Sequence, residues 1–193
     1  MTAAASIDAV IRDRRTVKAF TGAPVPRALL MDLLELARWA PNHRLSEPWR
    51  FTVLEAAHIP RLVAFLRGEP AIAAVPDPAK GAAKLAKLVE RLPEAGALIV
   101  ATWVRAADPA IDLEDHAAAS AAVQTLLLAA QSRGIASYWS TTAALMHPRT
   151  LAWCGVDGAR EGCLGWLWLG TAAETPPVPP RRPLAERVRF LGA

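Results

Sequence analysis

Between Pro26 and Ala40 the apolar positions Leu29, Leu30, Leu33, Leu34 and Ala37 recur at spacings of three and four, and Pro41 follows. That period predicts an amphipathic helix ending before the proline. An earlier helix is expected from Ser6 to Arg14 with Ser6 as its N-cap, and Thr16 to Val25, broken by Gly22 and Pro24, reads as irregular. Trp49 to Leu54 suits a strand with Phe51 and Val53 on one face, and residues 57–67 suit a short helix. Pro70, Pro76 and Pro78 delimit a loop leading into a helix over Ala79 to Arg91. Lys80, Lys84 and Lys87 share one side of it, read as solvated surface in preference to a lid over a site. Ala97 to Val104 is almost wholly apolar, the mark of an interior strand. A central helix over Leu113 to Ser132, closed by Gly134, precedes a short strand or extended turn over Ile135 to Ser140. Pro148 opens a brief helix through Trp153, and Cys163 to Leu169 forms the last core strand.

Helices at the start and strands distributed among later helices give a mixed rhythm, so an α+β sheet covered by helices is preferred. Neither Gly-x-Gly-x-x-Gly nor Gly-x-x-x-x-Gly-Lys occurs, which disfavours a dinucleotide-binding doubly wound fold and a P-loop. At 193 residues and 53% hydrophobic content the chain suits one domain, residues 1–193, with a real core. From Thr171 the character changes. Pro176, Pro177, Pro179, Pro180 and Pro183 hold residues 171–193 extended, an arm suited to lie across a partner subunit. The alanine- and leucine-rich run 117–130 is interrupted by Ser120, Gln124 and Thr125, so it reads as a buried helix and not as a membrane span. The first residues lack a basic segment followed by an apolar run, which together with the cysteine usage points to the cytoplasm.

The net charge of +4 invites a nucleic-acid reading, but the arginines are scattered and no zinc finger, KH loop or RNP pattern accompanies them. Cys154 and Cys163 are too few for a disulfide framework, and neither they nor the four histidines carry a metal-ligand spacing. No nucleophile elbow surrounds any serine, and Asp115-His116, adjacent on a helix, cannot orient one another. Chemistry carried by a cofactor needs no such system. Three patches stand out. Arg12, Arg14, Arg15 and Thr16 end the first helix, as phosphate donors or as a basic helix terminus. Pro41-Asn42-His43 follows the second, where His43 either reaches a cofactor or satisfies a local carbonyl. Gly134 to Thr142 is the third, with Trp139 at its centre.

Taken together, Arg14-Arg15-Thr16, Ala37-Arg38-Trp39-Ala40-Pro41-Asn42-His43 with Glu47-Pro48-Trp49 behind it, and Gly134-Ile135-Ala136-Ser137-Tyr138-Trp139 resemble the nitroreductase family of FMN-dependent oxidoreductases, and within it the short form typified by YdjA. The resemblance spans nearly the whole chain. It implies an α+β fold with a mixed central sheet flanked by helices, and a homodimer with FMN at the subunit interface. Arg14, Arg15 and Thr16 would then hold the flavin phosphate and ribityl chain, and Trp39 and His43 would approach from the other subunit. Trp139, Ser140 and Thr141 would lie beside the flavin, and Arg181, with Arg182 as an alternative, would close on the phosphate.

The implied reaction is ping-pong hydride transfer from NADH or NADPH to a nitroaromatic, quinone or other small electron-poor acceptor, with no residue assigned as acid or base and with no nucleic acid or membrane as partner. Enone reduction, dehalogenation or flavin modification on the same fold is an alternative, as is a non-catalytic dimer binding an anionic ligand. Leu45-Ser46-Glu47-Pro48-Trp49 departs from the Asn-x-Gln-Pro-Trp of larger relatives. Glu47 is expected to pair with Arg44 or Arg50; near a flavin it would instead lower the reduction potential.

Overall fold

Ser6 accepts from the Ala9 amide with its hydroxyl, 3.2 Å away, and so starts the first helix α1, Ile7–Asp13, where the polar-to-apolar transition places it. The computed structural model describes residues 6–73 and 78–192. The second helix, α2, spans Arg27–Ala37 and buries Leu30, Leu33 and Ala37. Strand β1 (Trp49–Glu55) is followed by α3 (Ile59–Arg67), α4 (Pro70–Ala73) and α5 (Pro78–Arg91). Pro70 thus opens a short helix instead of a loop, since proline needs no amide partner in a first turn; Pro76 lies outside the described residues.

Strand β2 (Ala97–Val104) leads into the central helix α6, Pro109–Ser132. This helix begins four residues before the sequence expectation because Asp108 caps it, accepting from the amides of Ala110 and Ile111, and Pro109 takes the first position. Gly134 closes it, the amides of Gly134 and Ile135 returning to the carbonyls of Gln131 and Ala130. Then come β3 (Ala136–Ser140), α7 (Ala143–Met146), α8 (Pro148–Trp153) and β4 (Glu161–Gly170). The α7 turn carries no apolar period long enough to announce it.

The strands pair antiparallel in the order β1-β2-β4-β3, and a parallel bridge from Thr16 to Ser137 adds the mixed character at the β3 edge. Ile99, Leu167 and Leu169 meet α2 and α6 on one face; Leu98, Val100, Trp166 and Trp168 meet α3, α5 and their neighbours on the other. Strand β2 is buried on both faces, which is why it reads as an unbroken apolar run. In β4 the pairing skips from Gly165 opposite Ala101 to Cys163 opposite Thr102, so Leu164 is the extra residue of a bulge. The skip returns Leu164 to the α6 face with Leu167 and Leu169.

Residues 16–25 are irregular but not loose. Val17 bonds Ser137, Thr21 bonds Thr171, Gly22 bonds Glu94 and Val25 bonds Gly96. This ribbon ties α1 to the strand ends and carries Thr16 and Lys18 along the outer edge of β3. No helix among the described residues is long and apolar enough to cross a membrane.

Candidate active site

Strand β3 lies at the edge of the sheet, and the Thr16 bridge covers only its Ser137 end. Beyond it runs a groove of about 470 Å3 lined by Thr16, Lys18, Arg91, Tyr138, Trp139, Ser140, Thr141 and Thr142. The hydroxyls of Ser140 and Thr142 bond at 2.8 Å, and the Thr142 amide donates to Ser140 Oγ at 3.3 Å, fixing the turn that leaves the strand. Trp139 folds over the β4 bulge, its Nε1 donating to the Leu164 carbonyl at 2.7 Å. Gly165 permits this. It sits at φ +132°, and a Cβ there would lie 2.6 Å from both the Ser140 carbonyl oxygen and Trp139 Nε1.

At the end of α1 the guanidinium groups converge. Arg14 donates to the Arg15 carbonyl and Arg15 to the Arg14 carbonyl, each at 3.0 Å. Burial first, then the like charges of Arg15 and Arg181, pull the Arg14 pKa below the ordinary arginine value. Among the described residues no carboxylate pairs with Arg14, Arg15 or Arg181. Positive charge gathered without a counter-charge fits a multiply charged anion, whose oxygens suit planar donor pairs.

The structure therefore brings Arg14, Arg15, Thr16, Trp139, Ser140, Thr141 and Arg181 to one region of the chain. Trp39 and His43 are elsewhere. Trp39 is 75% exposed just beyond α2, and His43 lines a second cavity of about 370 Å3 with Arg44, Ser46, Asp108, Ala110, Ile111, Glu114 and Asp115. The two cavities share no lining residue.

His43 does not satisfy a local carbonyl: its Nδ1 meets Glu114 Oε2 of α6 at 2.5 Å. Nor does the Glu47 carboxylate pair with Arg44 or Arg50. Arg50 takes the Glu47 backbone carbonyl at 3.0 Å, while the Glu47 amide donates to Asn42 Oδ1 at 3.1 Å. The reason is backbone shape, since Glu47 stands at φ +42° and turns its peptide groups toward those partners.

Tyr138 and Thr142 line the groove from within the Gly134 to Thr142 patch, whereas Lys18 and Arg91 belong to it without having been singled out from the sequence. Lys18 stands two residues from Thr16, so an extended segment places both on one edge. Arg91 was hidden in a helix read as solvated. It donates to the Lys18 carbonyl at 2.8 Å and lies 5.6 Å over the Trp168 ring. Cys154 and Cys163 face the interior away from this chemistry. Burial pushes the Cys154 thiol up to about 12 and raises Cys163 too, so both stay protonated, inert thiols.

Residues 11–171 match the model of the nitroreductase family. The chain belongs to the nitroreductase family. Along nearly its full length, 92% of this chain and 90% of the relative, it is 29% identical to YfhC of Bacillus subtilis, an NAD(P)H nitroreductase by name. A nitroreductase-like protein from Bacillus cereus superposes with a TM-score of 0.87 at 27% identity over all of both chains. A nitroreductase-type protein from Desulfovibrio desulfuricans, solved with FMN, does so at 0.73 and 25% identity over 95% of each. YfhC is thus a relative matched along nearly its whole length, and YdjA in particular is not singled out. This nitroreductase-family chain is an oxidoreductase of the NAD(P)H-dependent, nitroreductase-like kind.

Proposed function

We propose that the chain acts as a homodimer that binds FMN between subunits and passes hydride from NADH or NADPH to a nitroaromatic, quinone or similarly electron-poor acceptor. The observation that carries this reading is the uncompensated cluster of Arg14, Arg15 and Arg181 beside the open β3 groove. A flavin phosphate of charge about −2 offsets that repulsion. FMN, when bound, supplies the two-electron centre that the protein side chains lack.

The residues present fit such a group. Arg14, Arg15 and Thr16 offer donors to phosphate and ribityl oxygens, and Arg181 brings a further cation from the arm. Trp139, with Ser140 and Thr141, walls the groove, and Lys18 and Arg91 line it as further cations. Held in this groove, a reduced flavin ring would have its negative charge offset by Lys18 and Arg91. Trp39 and His43 reach the groove only from a second copy, since within one chain they line other surfaces. A dimer would also cover the free side of α6, where Ala117 and Ala121 lie next to Pro41 and His43 and Leu113 is exposed.

The donor and then the acceptor would each be held beside the bound flavin, and the protein's part would be to orient each and exclude water. The test is a visible absorption spectrum of the purified protein, followed by anaerobic bleaching with each nicotinamide and recovery of colour on adding acceptor. A yellow dimer that bleaches and recovers is expected. A colourless monomer that takes up no FMN overturns the reading.

A further inference from the structure

The segment Asn42 to Glu47 is built at a cost. Arg44, Leu45 and Glu47 all stand at positive φ, 55°, 53° and 42°, each sparsely populated for a side chain with a Cβ. Two neighbouring carboxylates of α6 hold it there. Ser46 Oγ donates to Asp115 Oδ1 at 2.6 Å, and His43 Nδ1 lies 2.5 Å from Glu114 Oε2. Asp115 is 7% exposed, a buried carboxylate that ties the segment to α6 through Ser46.

The consequence falls on the imidazole. An ionised carboxylate only accepts, so Nδ1 carries the proton toward Glu114 and Nε2 becomes the working nitrogen. Nothing among the described residues bonds Nε2, and the ring is about half-exposed at the mouth of the cavity. The groups facing it are Glu114 and Asp115 from α6, Asp108 at the α6 cap and Arg44 from its own segment. A carboxylate-backed imidazole is the arrangement that delivers a proton.

We propose that His43, oriented by Glu114, hands the proton to the acceptor in the second half of the reaction, in the site completed by the partner subunit. This rests on the homodimeric flavin reading above. A nitro acceptor takes a hydride, two electrons and one proton originating from NAD(P)H, together with one further proton. One N–O bond breaks, and the products are the nitroso compound and water. The further proton leaves His43 Nε2, which becomes a neutral acceptor nitrogen while Nδ1–H stays on Glu114, and solvent restores it at the exposed ring face. Glu114 is a positioning residue, and Ser46 with Asp115 anchors the segment.

The experiment compares the wild-type flavin-loaded protein with His43→Gln and Glu114→Gln. Reoxidation by a nitroaromatic is followed in stopped flow from about pH 5 to 8 and expressed per bound flavin. His43→Gln is expected to slow this step by about 10²-fold or more and to abolish its pH dependence. Glu114→Gln is expected to slow it by roughly tenfold while keeping the pH dependence, since the imidazole remains but is no longer oriented. Independently of turnover, nitrogen NMR of the purified protein is expected to show His43 with its neutral-form proton on Nδ1, a preference lost in Glu114→Gln. A His43→Gln protein with the wild-type rate and pH profile overturns the proposal, as does a wild-type Nε2–H tautomer. If the wild-type protein fails to bleach with NAD(P)H, the parent reading fails and the proposal falls with it.

Discussion

Arg14 sits half-buried beside Arg15 and Arg181, and burial first, then those two like charges, lowers its pKa. Removing it therefore acts in opposite directions on the two forms of the protein. With FMN, Arg14→Ala loses charge-assisted bonds to phosphate, and affinity is expected to fall by about 1.5–3 kcal/mol, roughly tenfold to a hundredfold in Kd. Without FMN the same change relieves repulsion, so the melting temperature of the cofactor-free protein is expected to hold or rise. Fluorescence titration and thermal denaturation separate the two. Unchanged FMN dissociation from a folded variant removes Arg14 from the phosphate site. The arginine patch was legible in the sequence because Arg14-Arg15-Thr16 sits at a helix end, whereas Lys18 and Arg91 were not. Their significance comes from lining a groove at a strand edge, and Arg91 reaches that edge from a helix more than 70 residues away from Lys18 along the chain.

At the scale of elements, long periodic segments were read well: α2 and β2 fall where the patterns of Leu29 to Ala37 and Ala97 to Val104 place them. Some short features were also read, α1 behind its Ser6 cap and α8 from Pro148 to Trp153, but others were not. The start of α6 depended on Asp108-Pro109, polar residues outside the apolar run, and the bulge at Leu164 leaves no mark beyond a glycine within an apolar strand. That glycine is the element on which the groove wall turns. Gly165→Ala forces a Cβ to within 2.6 Å of the Ser140 carbonyl and the Trp139 ring at a φ of +132°, an expected loss of at least about 1–3 kcal/mol in stability. The displaced Trp139 indole gives up its bond to the Leu164 carbonyl, so flavin retention falls as well. Urea unfolding and bound-flavin content measure the pair of effects; a variant as stable as wild type shows that the strand relaxes around the bulge.

For the whole molecule the decisive question is what the last twenty residues lie on. Backbone pairing to the body runs through Phe20 with Ala172 and ends at the Ala173 amide, which donates to the Ala19 carbonyl. Beyond it Val178, Leu184, Phe190 and Leu191 are exposed apolar side chains on a proline-stiffened segment. Such an arm gains little on its own chain and much by covering apolar surface on another, and α6 with Trp39 and Leu45 presents that surface. If the chain is the proposed dimer, truncation after Thr175 is accordingly expected to shift it toward monomer in sedimentation experiments and to strip the flavin, while circular dichroism of the sheet and helices stays close to wild type. Because the cut also removes Arg181, full-length Arg181→Ala is the necessary partner: it should remain dimeric and lose flavin affinity alone. If the truncated chain stays dimeric and only its flavin binding weakens, as in Arg181→Ala, the arm is a phosphate latch and not a clasp between subunits; a truncated dimer that keeps its flavin removes both roles.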